Sequence, residues 1–310
     1  MKLFPILFER DFFRKTAAAQ SAGRIVSACA FCYNRNAEGY LRLLFREAKT
    51  EMIAANYHTH TSRCGHATGT DEEYVLAAIE AGYRILGFSD HAPYRHYPNK
   101  FVHMNWGELD DYIESVTCLR EKYKEQIDIR LGLETEYYTK TLEEKQYLRR
   151  KVEYLILGQH FAKPSGFGSY FARNSDKEIR QYCDMVIEGL DTGLFLYLAH
   201  PDVYMFKQTE FTEACAETAH RIAAKAAETN TPLEINVHRV SSGKNPFGNQ
   251  MEYYYPHKDF WRIAAQYPVR VLIGIDAHDP KQLLDRQSII DGMQELEDLH
   301  LDYIQDNILL

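Results

Sequence analysis

Residues 269–278 read VRVLIGIDAH, an apolar and β-branched run that ends in an aspartate and a histidine two positions apart. Such a run is a buried strand, and alternation along it turns Asp276 and His278 to the same side. The same figure recurs upstream in AANYHTH (54–60), RILGFSDH (84–91), IDIRLGLE (127–134), YLILGQH (154–160) and LFLYLAH (194–200). Each run stops at a histidine or a carboxylate. With Pro232–Val237, the expected strands are Ala54–His58, Arg84–Ser89, Ile127–Glu134, Tyr154–Gln159, Leu194–Ala199, Pro232–Val237 and Val269–Ile275.

Helical patterns fill the gaps, at Asp71–Ala81, Trp106–Tyr123, Leu142–Arg149, Asp176–Thr192, Phe211–Thr229 and His257–Ala265, with a last one over Pro280–Leu299. Thr70 with Glu73 carries the signature of a capping box, and Asn105 with Glu108 a similar one. Strands alternating with helices predict a mostly parallel sheet, since parallel neighbours need crossover connections. Seven such units in one run favour a closed or nearly closed α/β barrel over an open doubly wound sheet. The stretches Lys163–Ser169 and Ser241–Gly248 read as loops reaching over its mouth.

The chain of 310 residues is 45% hydrophobic and 26% charged, an ordinary globular composition. Its formal charge of -8 disfavours a nucleic-acid scaffold, which normally shows a basic face. No apolar stretch approaches the roughly 20 residues of a membrane span, and the apolar start is shorter than the ~7–15 residues of a secretory core. Six irregularly spaced cysteines give no disulfide framework, and the expected compartment is the cytoplasm. Residues 1–51 stand outside the strand–helix rhythm, either as a helical appendage or as an extension ahead of a start at Met52. They hold a lone Cys29-Ala-Phe-Cys32 with no partner pair to complete a zinc site. The barrel is expected over residues 52–310.

Seven of the thirteen histidines fall at or just past a strand end: His58, His60, His66, His91, His160, His200 and His278. Glu134 and Asp276 share that placement. In a parallel barrel these ends open on one face, where active sites lie. His58 and His60 then point at one ion together, as do Asp276 and His278. Neutral imidazoles and carboxylates suit Zn, Mn or Fe, and so many polar rings without partners would each cost about 1–3 kcal/mol if buried. The pattern predicts a cluster of two or three divalent metal ions.

In order along the chain, HTHT…CGHA, FSDHAPY, LGLETEYY, GQHF, AHPD and IDAH resemble the PHP (polymerase and histidinol phosphatase) family, its histidinol-phosphatase branch above all. The likeness spans nearly all of residues 54–280. It implies a distorted (β/α)7, TIM-like barrel and a trinuclear site. By that resemblance His58, His60, Glu134 and Asp276 hold one metal, and His66, His91 and His278 a second. His160 and His200 hold a third, with Glu134 bridging it to the first. The sequence departs from the family at Glu234-Ile-Asn-Val-His-Arg239, where EINTxG is expected, and at Arg63-Cys64-Gly65.

The implied activity is a metal-dependent phosphomonoesterase acting on a small-molecule phosphate, foremost L-histidinol phosphate in histidine biosynthesis. A metal-bridging hydroxide would attack phosphorus, with Glu134, Asp276 and His278 in the catalytic machinery and Asp90 orienting His91 or lying just outside the ligand set. No GxSxG nucleophile motif is present. Arg173 is the first candidate for the phosphate, followed by Arg239 and Arg95, with Arg63 behind them. Tyr94, Tyr97, Tyr170 and Phe171 are candidates to wall the organic group, and His96, His103, His238 and His257 lie on or near loops within reach of substrate. The alternatives are a phosphodiesterase or nuclease of the same family, and a non-catalytic metal-binding module. The oligomeric state stays open.

Overall fold

The computed structural model of the chain describes residues 54–99, 101–304 and 308–309. The expected N-terminal extension and the pair Cys29 and Cys32 lie outside the described residues. The fold is mixed α/β around a curled parallel sheet. Strands β1 (Ala55–Asn56), β2 (Ile85–Phe88), β3 (Asp128–Thr135) and β4 (Tyr154–Leu157) pair in that order, all parallel. A second parallel set joins β5 (Leu233–Asn236), β8 (Arg270–Gly274) and β9 (Asp302–Tyr303). Isolated bridges link the sets: Leu198 pairs with both Leu157 and Leu233, and Thr59 pairs with Ala277.

The stretch expected as a fifth strand, Leu194–Ala199, therefore pairs through Leu198 alone. Gly193 before it has φ 62° and His200 after it φ 29°, so left-handed turns at both ends leave few extended residues between them. The first strand is also shorter than expected, because the chain leaves the ladder before His58. Neither the hairpin of β6 (Asn245–Phe247) and β7 (Gln250–Glu252) nor β9 was expected. Gly248, at φ 54°, makes the hairpin turn inside what reads as a loop.

Helix α1 (Asp71–Glu80) begins at a complete capping box of Thr70 and Glu73. After a 3-10 turn over Trp106–Glu108 comes α2 (Leu109–Tyr123), and α3 covers Leu142–Arg149 as expected. Helix α4 (Asp176–Asp191) starts at the Ser175 and Glu178 capping box and buries Ile179, Tyr182, Cys183, Val186 and Leu190, one face at helical spacing. Its neighbour α5 (Glu213–Thr229) presents Ala219, Ala223 and Ala226 among its buried residues. Thr212 caps α5 and His257 caps α6 (Lys258–Ala264), which is why both start later than the apolar pattern does. The expected helix Pro280–Leu299 is split. A 3-10 turn over Pro280–Leu284 ends at Asp285, whose carboxylate accepts from Ser288 N and starts α7 (Arg286–Glu295).

Inside the curl a small cluster of Tyr57, Tyr154, Ile156, Tyr197, Ala199 and Leu272 forms a floor below the strand ends. The Tyr154 hydroxyl lies between Tyr57 O and Phe88 O, at 2.9 and 3.0 Å, and shares its one hydrogen between them, tying β4 across to β1 and β2. A Cβ at Gly132 would overlap the Tyr154 ring, so only glycine on β3 lets it lie there. Among the described residues no helix is long and apolar enough to cross a membrane.

Candidate metal centre

The floor leaves room above it, and there the strand ends deliver their side chains. His58 and His60 follow β1, His91 follows β2, Glu134 lies near the end of β3 and His160 follows β4. His200 follows the Leu198 bridge, and Asp276 and His278 follow β8. All nine candidate ligands meet here. Glu134 is the hub. Its Oε1 lies 3.4 Å from His58 Nε2, 3.2 Å from His160 Nε2 and 2.9 Å from His200 Nε2. Its Oε2 lies 3.1 Å from His91 Nδ1 and 3.5 Å from His60 Nε2. Asp276 Oδ1 is 3.0 Å from His60 Nε2 and 3.4 Å from His58 Nε2. On the outer side, His66 Nε2 and His278 Nε2 stand 3.1 Å apart.

These contacts fit ions better than hydrogen bonds. His58 Nδ1–H donates to Glu234 Oε1 at 2.7 Å, which leaves a lone pair on Nε2 facing two carboxylate oxygens. His58 Nε2, His60 Nε2 and Glu134 Oε2 are buried without a hydrogen-bond partner. Donor atoms about 2.0–2.2 Å from one tetrahedral ion stand roughly 3.3 Å apart, close to the separations found here. His66, His91 and His278 form a further set whose ligand atoms all lie within 4.8 Å of one another. The rings at His66 and His278 are fixed by Nδ1–H donation to the carbonyls of Cys64 and Asp276.

Charge follows the same geometry. Burial works against charge on His58, yet without an ion Glu234, Asp276 and Glu134 hold its pKa well above the usual imidazole value, so an ion taking the Nε2 lone pair displaces a proton. Burial likewise opposes charge on His160, but Glu134 and Glu136 push its pKa up to about 10. His91 goes the other way, down to about 3, through burial and the neighbouring His60. Against burial, His160, His58 and His91 keep Glu134 well below the usual carboxylate range. Two candidate ligand positions have left-handed backbones, His200 at φ 29° and Asp276 at φ 54°. Non-glycine residues held this way cost of order 1–3 kcal/mol each and cluster at functional sites.

Residues behind the ligands complete the site. Asp90 stands 3.4 Å from His60 Nδ1 and accepts from the Thr61 hydroxyl and from His91 N, so it backs His60 and meets only the backbone of His91. Glu136 accepts from His160 Nδ1 at 3.1 Å, from His103 Nε2 at 3.2 Å and from the Tyr94 hydroxyl at 2.7 Å. The sequence reading missed Glu136 and the role of Glu234. Glu136 had a signal, since it lies two residues past Glu134 on the same side of the strand. A Cβ at Gly158 would overlap the Glu134 carboxylate, and one at Gly274 the Glu234 carboxylate.

The centre opens into a cavity of about 360 Å³ whose lining includes His66, His91, His160, His238, Arg239 and Asp276, with Phe161, Phe171 and Tyr255 as aromatic walls. Phe171 stacks on His160 at 5.6 Å. Arg239 lines the cavity, and its Nε is buried without a partner. Arg173 is exposed and outside the lining. Arg95 lies over Trp106 in a separate cavity that also takes in His96 and Tyr97. Arg63 is paired with Asp71 and Asp111. His103 and His257 are buried, Tyr94 is bound to Glu136, and Tyr170 donates to Met185 Sδ. His238 lines the cavity and donates through Nδ1–H to Asp276 O.

The chain is similar to several known proteins. A probable histidinol-phosphatase of Deinococcus radiodurans is 27% identical over 250 residues, 78% of this chain and 92% of that protein. The histidinol-phosphatase of Bacillus subtilis is 29% identical over 143 residues, 42% of this chain and 53% of its own length. The crystal structure of a histidinol phosphate phosphatase from Lactococcus lactis, complexed with zinc, L-histidinol and phosphate, matches the fold. Its TM-score is 0.65 at 17% identity, covering 83% of this chain and 98% of that one. The profile of the PHP domain matches residues 56–238, more than half of the chain, and the chain belongs to the PHP-domain family.

Proposed function

We propose that this chain is a metal-dependent phosphomonoesterase that hydrolyses L-histidinol phosphate to L-histidinol and phosphate, a step of histidine biosynthesis. The observation that carries the proposal is the convergence of His58 Nε2, His60 Nε2 and Glu134 Oε2, buried lone pairs with no hydrogen-bond partner. The histidinol-phosphatase relatives supply the substrate. In this reading His58, His60, Glu134 and Asp276 hold one ion, His66, His91 and His278 a second, and His160 and His200 a third with Glu134 as bridge. The nitrogen-rich set suits Zn, Mn or Fe. The seven strand positions, hydrogen-bonded in a ring through Leu198 and Thr59, support one distorted (β/α)7 barrel. The four described cysteines are free thiols, in keeping with a cytoplasmic setting.

Divalent ions held there would supply a water ionised near neutral pH and offset negative charge on the phosphoryl oxygens. The chain's own residues do the rest. Arg239 presents a guanidinium fork to a phosphate in the cavity, ahead of Arg173 and Arg95 because it lines that space. Phe161, Phe171 and Tyr255 give the organic group an apolar wall and exclude water. Glu136 and Glu234 accept from the outward ring nitrogens of His160 and His58, and Asp90 stands 3.4 Å behind that of His60, so the inner nitrogens face the centre, where an ion would take the place of a proton.

Protein loaded with Mn or Zn is assayed for phosphate release from L-histidinol phosphate, p-nitrophenyl phosphate and short single-stranded DNA. The expected result is a kcat/KM for histidinol phosphate at least about 100-fold above the others. Hydrolysis of DNA with none of the monoesters overturns the reading.

A further inference from the structure

We infer that Glu234 is a positioning residue that holds two ion positions in register and makes them fill together. This rests on the metal reading above. Glu234, on β5, is fully buried at the edge of the centre, yet both its oxygens are taken by protein donors. Its Oε1 accepts from His58 Nδ1 at 2.7 Å, with the Tyr197 hydroxyl at 3.5 Å. Its Oε2 accepts from His200 N and from Asn236 Nδ2, both at 3.0 Å. All four contacts are donors, so the carboxylate is saturated.

Three of those contacts lead to candidate ligands on three separate elements. The first is the ring of His58. The second is the backbone of His200, at the strained φ of 29°. The third runs through Asn236, whose same amide nitrogen also donates to Asp276 Oδ2 at 3.2 Å. His58 and Asp276 belong to one proposed ion position and His200 to another. Strand β8 is built around the carboxylate, since any Cβ at Gly274 would overlap it. The His66, His91 and His278 position lies outside this web. The rings of His66 and His278 are fixed by Cys64 O and Asp276 O, main-chain acceptors that take no bond from Glu234 or Asn236.

An ion at His58 strengthens the Nδ1–H donor and so pins the Glu234 carboxylate. The pinned carboxylate holds His200 N and, through Asn236, Asp276. Filling one position therefore prepares the other, a coupling through one discrete hydrogen-bonded group.

The test is metal content of the intact protein under graded competition from a chelator, read alongside the thermal midpoint of the metal-free form. Glu234→Gln places an amide N–H against a donor, either His58 Nδ1–H or His200 N–H. The expected result is that two ions are lost together, each about 10–100-fold weaker than in wild type, while one is retained at wild-type affinity. His66→Ala is the counterpart and loses only one. If the Gln variant fails to fold, Glu234→Asp is expected to give the same paired loss, because it keeps the charge but withdraws it by one methylene. Wild-type-like retention of every ion, or loss of a single ion, overturns the inference. Wild-type protein that holds fewer than two ions overturns instead the metal reading beneath it.

Discussion

Glu134 directs one oxygen toward His58, His160 and His200 and the other toward His60 and His91. In the proposed centre that division would let one carboxylate serve adjacent ions, and it depends on atomic positions the sequence does not display. The strand-end placement of the candidate ligands was legible, because seven histidines and two carboxylates close apolar runs, whereas any one of them alone would read as a core residue. Their backing was less so. Asp90 sits next to His91 in sequence but stands behind His60 in space, since neighbouring residues on an extended chain face opposite sides. A buried group away from the ions gives a separate prediction. Lys145 is fully buried under the Tyr94 ring, its Nζ has no hydrogen-bond partner, and burial pushes its pKa down to about 7 over the pull of Glu136 and Glu144. From about pH 7 to 10.5 the unfolded chain binds the lysine proton and the folded chain does not, so this group makes stability rise with pH. Below about pH 7 the full penalty of the buried charge is present. Urea unfolding is expected to show Lys145→Met more stable than wild type at pH 7, by at most about 5 kcal/mol, with the gap closing toward pH 10.5. Equal stabilities at pH 7 would count against that burial.

At the scale of elements, the helices were read to within a residue or two wherever a capping side chain marks the start, as Thr70 and Ser175 do. Pairing was harder to read. Leu194–Ala199 has a strand's composition, yet the turns at Gly193 and His200 reduce its ladder to Leu198. The β6–β7 hairpin and β9 carry too few apolar positions to stand out. The strand ends depend on glycines opposite large side chains, and that dependence appears only once neighbouring strands are known. Gly158→Ala on the β4 side is expected to displace the Glu134 carboxylate. Stability should fall by roughly 1–3 kcal/mol, the ordinary cost of overpacking. Metal analysis should show lost ions, and kcat should fall about 10–100-fold. An alanine variant with full metal content would mean that Glu134 does not need the space.

Across the whole molecule, the two parallel sets and the bridges at Leu198 and Thr59 bring seven strand positions to one mouth, and the candidate ligands arrive from all but the β5 position. That one supplies Glu234, so every position contributes to the centre or its support. The net charge of -8 gives no general attraction for a phosphate, so in the proposed reading the positive charge comes from the ions and Arg239. A site assembled from distant strands exists only in the folded chain, so ions must stabilise it. At a free concentration about 100 times Kd, each independent site adds roughly 2.7 kcal/mol. Chelation is therefore expected to lower the thermal midpoint and readdition of Mn or Zn to restore it; an unchanged midpoint would argue against a folded-state site. The central claim is tested most directly by kcat/KM for L-histidinol phosphate, measured against bound metal in wild type and in Glu134→Gln. The account predicts a rate that climbs with bound ions and vanishes on chelation, and a loss of at least about 100-fold in the variant. Turnover that persists in metal-free protein, or a Glu134→Gln enzyme at the wild-type rate, would contradict it.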